Sequence, residues 1–191
     1  MPIVMYLGSD IKDYREKSEE IIEESLSEGK IRCDQCLKRM RCHSHYDRWI
    51  KETGERLTIT MVWCRKCEEW HSLLPDFLLP HKHYSGNEIE GVIIDGAEVG
   101  PVSHIDTNAS ESTVRRWIKQ INERILEAIG KLKYLFGRAG RAVSEAAIDA
   151  GYSYSELEQV LEMAPHPVKC SGNKLGLANI WLRTNEVAMY I

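Results

Sequence analysis

Cys33-Asp34-Gln35-Cys36 and Cys64-Arg65-Lys66-Cys67, 27 residues apart, decide how this 191-residue chain is read. Two Cys-x-x-Cys knuckles of this kind bring four thiolates around one tetrahedral metal ion, each sulfur about 2.3 Å from it. The spacer suits a β-hairpin. Arg41 to Lys51 and Arg56 to Trp63 favour extended backbone, with Thr53-Gly54 as the turn. Along the second arm Leu57, Ile59, Met61 and Trp63 share one strand face, and Thr58, Thr60 and Val62 the other. A third strand from Glu69 to Leu74 would end at Pro75. The outline is a zinc ribbon holding one structural Zn2+ through Cys33, Cys36, Cys64 and Cys67. Iron in a rubredoxin-like site would use the same ligands. A redox dithiol explains one such pair but not two. Cys42, His43, His45 and His71 lie near enough in sequence to substitute for a ligand, although the set is complete without them.

Outward from this stretch, residues 10–28 read as an amphipathic helix with Ser9 as N-cap, a broken stripe of Ile11, Tyr14, Ile21, Ile22 and Leu26, and Gly29 as the stop. Pro75 and Pro80 bracket the apolar connector Asp76-Phe77-Leu78-Leu79. Ser85 with Glu88 forms a Ser-x-x-Glu capping box for a helix running to about Asp95, ended by Gly96. Gly100-Pro101 breaks the weakly helical run from Glu98 to Asp106. Ser110 or Ser112 caps the next helix, which begins at Thr113 and continues to Phe136.

The charge is −4 in total but is laid out in blocks. Residues 84–112 carry −6, whereas 30–83 carry +4 and 113–141 carry +6. A local basic block governs contact with phosphate more than the sum does. Val114, Trp117, Ile118 and Ile121 give the i, i+3, i+4, i+7 stripe of a packed helix. Its other face offers Ser112, Thr113, Arg116 and Gln120 as candidate base readers, with Arg115, Lys119 and Arg124 for the backbone of double-stranded DNA. This is the pattern of a helix-turn-helix recognition helix. Ile118, Ile121, Ile125, Ile129 and Leu132 extend the stripe, read here as ordinary core that leaves a homodimer open. Further on, Ala147-x-x-x-Gly151 and Ser155-Glu156-Leu157-Glu158 suggest helix, turn and capped helix, too acidic to face phosphate. Lys174 to Arg183 is a last helix, and Glu186 to Ile191 a strand or tail.

The four cysteines, the Leu73-Leu74-Pro75-Asp76-Phe77-Leu78-Leu79-Pro80 connector with Tyr84-Ser85, and Ser112-Thr113-Val114-Arg115-Arg116-Trp117 together resemble bacterial proteins that join a zinc ribbon to a helix-turn-helix. Such modules form the N-terminal DNA-binding part of insertion-sequence transposases and of their small mobile-element-associated relatives. The resemblance covers about the first 125 residues and implies binding to element ends or a regulatory site. A transposase of that kind continues into an RNase-H-like catalytic domain, for which this chain has no room, so its catalysis does not carry over.

The expectation is therefore an α+β protein: N-terminal helix at 1–29, zinc ribbon at 30–80, helix-turn-helix at 84–137 and helical C-terminal region at 142–191. No signal peptide or apolar run of membrane-spanning length is apparent, and six cysteines in such a chain suit a cytoplasmic setting. Cys170 reads as a small buried hydrophobe. His43-Ser44-His45 and His81-Lys82-His83, each followed by tyrosine, lack the hydrophobic middle residue and the distant tyrosine of His-x-His nucleases, so no enzyme is expected. The functional expectation is sequence-specific DNA binding, as a transposase-related or regulatory protein. The alternative is an adaptor that docks a recombinase or polymerase subunit through the ribbon and the acidic helices 10–28 and 155–163.

Overall fold

The computed structural model describes residues 2–98, 101–139 and 153–184. Its elements are β1 (Ile3–Met5), α1 (Ile11–Ser27), β2 (Arg41–Ile50), β3 (Glu55–Cys64), β4 (Glu69–Pro75), α2 (Gly86–Glu98), α3 (Glu111–Arg138), α4 (Ser153–Glu162) and α5 (Lys174–Thr184). Val102–His104 adds a 3-10 turn between α2 and α3. A four-stranded sheet ordered β1-β4-β3-β2 is thus followed by a mostly helical half, the α+β arrangement expected from the sequence.

The hairpin forms where it was expected, with Trp49 opposite Arg56 and Arg41 opposite Trp63. A register shift between Cys42 and Ser44 bulges β2 next to the cysteine cluster. Strand β1, by contrast, was not anticipated. Its three residues pair in parallel with Leu73–Pro75 of β4, and Ile3 and Val4 are buried there. On β3 the expected shared face exists, but it is not uniformly covered. Leu57 and Ile59 are fully buried, whereas Met61 and Trp63 of the same face stay half-exposed; Thr60 and Val62 are buried on the opposite face.

Arg48 explains much of that division. It stands opposite Leu57, is itself buried, and its guanidinium donates to the carbonyls of Leu79 (2.6 Å) and Lys82. This pins the 79–82 loop over the Leu57 end of the sheet and leaves the Trp63 end bare. The amide of Lys51 donates to His83 O (2.8 Å) and that of Ser85 to Glu52 Oε1 (2.6 Å), which ties the hairpin tip to the same loop. Arg48→Ala would strand buried carbonyls, so it is expected to cost about 2–3 kcal/mol in denaturant unfolding. A loss near zero would show that the loop is held without it.

Two caps differ from expectation. Asp10, not Ser9, is the N-cap of α1, because its carboxylate accepts from the Asp13 amide (2.8 Å) while the Ser9 amide donates to Asp13 Oδ2 (2.9 Å). Ser85 does accept from the Glu88 amide (3.2 Å), but Glu88 turns to the Thr107 hydroxyl, so the reciprocal half of the box is not made. Helix α2 also runs past Gly96 to Glu98. A Cβ at Gly96 would lie 2.8 Å from Ile118 Cδ1, so this glycine serves the approach of α3 rather than a helix end. Ser110 caps α3 through its carbonyl, which accepts from the Thr113 and Val114 amides; Glu111 rather than Thr113 opens the helix.

The stretches expected as separate modules interlock. Val114, Trp117, Ile121, Ile125, Ile129 and Leu132 of α3 pack with α2, α4 and α5 in one core, so the long isoleucine stripe is consumed within the chain. Ile180 of α5 instead joins the sheet core, as do Phe77 and Leu78, while their neighbour Leu79 belongs to the helical core. The connector is therefore a shared wall between two cores. Asp76 there is fully buried and accepts from the Ser171 amide (2.6 Å), and Asn173 Nδ2 donates to the Asp76 carbonyl (3.2 Å). Only glycine fits at 176, because a Cβ would sit 2.2 Å from Asp76 O. Glu90 of α2 takes the amides of Lys174 (2.7 Å) and Leu175 (3.2 Å), capping α5 from another helix. Segment 142–152, including Ala147 to Gly151, and Glu186 to Ile191 lie outside the described residues.

Burial raises Asp76 above the ordinary carboxylate range, against the pull of the Ser171 amide. The neutral acid then stabilises the fold fully below the unfolded carboxylate value, and this contribution fades as pH climbs through the raised folded value. Asp76→Asn removes the titration. Its thermal midpoint is expected to fall less than that of the parent as pH rises through that window; parallel curves would dismiss the effect.

Candidate metal centre and basic cleft

Each cysteine knuckle is built the same way. The amide of Leu37 donates to Cys33 O (2.9 Å), and the amide of Glu68 donates to Cys64 O (2.8 Å). Leu37 and Glu68 both take left-handed backbone, with φ of 57° and 55°. That conformation costs a non-glycine residue on the order of 1 kcal/mol, and here it turns the chain as it leaves each knuckle. The first knuckle is further shaped by a small hairpin, in which the Cys33 amide donates to Lys38 O (3.0 Å) and that of Met40 to Ile31 O (3.3 Å). Gln35 Nε2 donates to Glu69 Oε1 (2.8 Å), joining the two knuckles. Arg183 of α5 pairs with Asp34 and donates to Arg32 O (2.7 Å), so the last helix clamps the first knuckle.

The result brings the Sγ atoms of Cys33, Cys36, Cys64 and Cys67 within 4.8 Å of one another. Cys33 and Cys67 are 3.7 Å apart and Cys36 and Cys64 3.4 Å. A tetrahedral ion about 2.3 Å from four sulfurs needs edges of about 3.8 Å, so both of these edges lie close to what a metal requires. Among the described residues these four form the metal-competent group; Cys42 lies exposed on β2, and His43, His45 and His71 are not part of it. Cys170 is half-buried against the sheet core rather than fully enclosed.

The thiols of the cluster are unequal. Burial works to raise Cys64, but the amides of Cys67 and Lys66 and the Cys36 and Cys33 thiols outweigh it and bring it down to about 7. Cys67, facing the Cys36 thiol, is pushed up to about 12, and burial raises Cys33. A cation held by these sulfurs would have to displace their protons.

A second candidate site lies where the helical half meets the 80–83 loop. Arg116, Gln120 and Arg124, one turn apart on α3, face His81, Lys82 and His83 across a cleft of about 650 Å3 that Glu123 also lines. Lys82 Nζ donates to Gln120 Oε1 (3.3 Å). Burial, followed by the like charges of Arg116 and Arg124, holds Lys82 below the ordinary lysine range. Positive charge is therefore concentrated in a partly desolvated concavity, the arrangement in which an anion gains most.

Of the residues expected to touch DNA, Arg116, Gln120 and Arg124 converge on this cleft. Lys119 is exposed but not among its lining residues. Ser112 and Thr113 contact the Ser110 hydroxyl at 3.1 and 3.0 Å, at the head of the helix. Arg115 pairs with Glu111 (3.6 Å) on the surface. The 99–110 segment between α2 and α3 is longer than the three- or four-residue turn of a compact helix-turn-helix. The histidines of His81-Lys82-His83 read from the sequence as polar ribbon surface able to touch phosphate; their placement opposite α3 was not read from it.

Fold and site define an α+β protein with a four-cysteine centre competent for metal and a cationic cleft between the 80–83 loop and α3. Residues 33–117 match a family model described as a domain of unknown function, DUF6431. The match runs from the first cysteine of the cluster to the buried Trp117 of α3, and so takes in both knuckles, the connector and α2. Comparison with curated proteins gave no match, nor did comparison with solved structures. No described helix is long and apolar enough to cross a membrane.

Proposed function

We propose that this chain is a nucleic-acid-binding protein: a zinc-stabilised ribbon and α3 together engage double-stranded DNA, with no chemistry of their own. The observation that carries the reading is the convergence of Lys82, Arg116 and Arg124 on one cleft, where burial and mutual repulsion favour an incoming polyanion. Phosphate entering there would relieve that repulsion and release counterions. Gln120, at the same cleft, has the amide suited to bidentate adenine contact, and Arg116 the fork suited to guanine. Lys119, Ser112, Thr113 and Arg115 would follow the duplex along the exposed start of α3.

Zinc is the proposed ion because four cysteine sulfurs gathered within 4.8 Å of one another would make a closed site. Such an ion braces the hairpin and activates no water. The ligands would be Cys33, Cys36, Cys64 and Cys67. A role at element ends or in transcription, as in the transposase-related proteins, belongs to the same proposal.

Fluorescence anisotropy of the zinc-loaded chain on a mixed duplex pool, titrated with salt, tests it. Micromolar or tighter binding that weakens steeply with salt is expected. A folded, zinc-containing sample that fails to bind at low salt would refute the reading. The adaptor alternative would then lead. It is favoured by α1, whose Glu16, Glu19, Glu20, Glu23 and Glu24 are all exposed, whereas Glu156 of α4 is engaged by Lys133 (2.6 Å).

A further inference from the structure

The bare end of the sheet is aromatic. Tyr46, Met61, Trp63, Trp70 and Ser72 share the face that the 79–82 loop leaves uncovered, as the pairing of β2, β3 and β4 requires. Trp70 is 43% exposed and Tyr46 40%. His43 meets the Trp70 ring edge-on at 3.9 Å, and Trp63 lies against it at 4.3 Å with a 48° tilt. Trp70 is therefore braced by two rings while much of its surface stays open to solvent.

This face is continuous with the basic cleft. His81, Lys82 and His83 also line a second depression of about 380 Å3, whose opposite wall is Tyr46 and Ser72. Tyr46, Ser72 and His81 in turn border a third, of about 480 Å3, that reaches Met61 and Trp70. One trough thus leads from Arg116 and Arg124, past Lys82, onto the aromatic end of the ribbon.

We infer that this trough carries unpaired nucleotides: the cleft holds the phosphates of a strand leaving a duplex, and Trp70 and Tyr46 stack its bases. The inference rests on the nucleic-acid reading above and adds a ligand to it. Cations at one end and exposed rings at the other match the two chemical features of a single strand, a charged backbone and planar bases with π-faces. A duplex hides those faces within its own stack, so Trp70 and Tyr46 would add nothing to blunt DNA. A junction of double and single strand would occupy both ends at once.

The test compares three probes on the zinc-loaded chain by anisotropy: a blunt duplex, the same duplex with a thymidine tail of about eight nucleotides, and one with an abasic tail of equal length. The thymidine tail is expected to tighten binding about tenfold over the blunt duplex, and the abasic tail far less. Trp70→Ala and Tyr46→Ala should each remove most of the thymidine advantage while leaving blunt affinity and zinc content unchanged. Trp70→Phe should keep part of it. Equal gains from thymidine and abasic tails would overturn stacking. Equal affinity for all three probes would overturn the inference while sparing the duplex reading, and would leave the aromatic face to a protein partner. Loss of zinc from both alanine variants would move the decision to Trp70→Phe, where an unchanged tail advantage together with an equal abasic gain refutes stacking. Absence of binding to any probe would refute the nucleic-acid reading itself.

Discussion

Removing the metal from the zinc-loaded chain with a strong chelator is expected to abolish the folded ribbon. A structural zinc site contributes about 10–16 kcal/mol to folding in small zinc modules, whereas a whole domain is stable by about 5–15 kcal/mol. The ion is thus expected to outweigh the rest of the ribbon. Geometry gives the same order of importance. Leu37 and Glu68 are held in left-handed backbone at the knuckles, and Cys33 and Cys64 are fully buried. Without a cation, four thiols within 4.8 Å have only each other and a few amides to satisfy them. Cys33→Ser and Cys64→Ser should reproduce the chelator's effect, with zinc falling from one per chain to none and the thermal midpoint dropping by about 10 °C or more. Cys42→Ser and Cys170→Ser should leave both quantities alone. Loss should extend to α5, because Arg183 is anchored on the first knuckle through Asp34 and Arg32. A midpoint indifferent to the chelator would mean that the four cysteines pack without a metal.

The largest functional effect should come from reversing charge in the cleft. Arg116→Glu combined with Arg124→Glu is expected to weaken duplex binding by about 100-fold or more near physiological salt, and to flatten the salt dependence by about two phosphate contacts. Both positions are exposed on α3, so the variant should keep the fold, which circular dichroism and zinc content would verify. Arg116→Ala alone should cost about 1–3 kcal/mol on a preferred site and relax specificity there; an equal loss on every sequence would make Arg116 a phosphate contact. Arg115→Ala should matter less, because Glu111 already occupies that side chain at the surface. If the double reversal binds as the parent does, the cleft does not hold DNA.

Much of this architecture was legible because it is written in short-range spacing. Two Cys-x-x-Cys pairs place thiols by local turns, and the Thr53-Gly54 turn sets a hairpin between them. Alternation and 3.6-residue periodicity picked out β3, β4 and α3, since each buries a stripe against something, whatever that something is. Cap assignments slipped where a nearby competitor made the better bond. Asp10 displaced Ser9, and Thr107 took the carboxylate of Glu88 from its own helix end. Within a strand, alternation fixed which residues share a face but not which of them are covered. Arg48 decided that by drawing the 79–82 loop over Leu57 and not over Trp63.

The sequence by itself determined the four-cysteine cluster, the α+β order of elements and the basic, amphipathic character of α3. Only the tertiary structure decided that Ile3–Met5 closes the sheet beside β4, that α5 returns to clamp the first knuckle, and that Lys82 meets Arg116 and Arg124 across a cleft. Thiol pairs and amphipathic stripes repeat over a few residues and leave a local signature. A three-residue parallel strand, a helix capped by Glu90 from another element and a loop held by the buried Arg48 arise from contacts between residues distant in the chain. Their free energy appears only once the chain has closed those loops, and no local pattern records it.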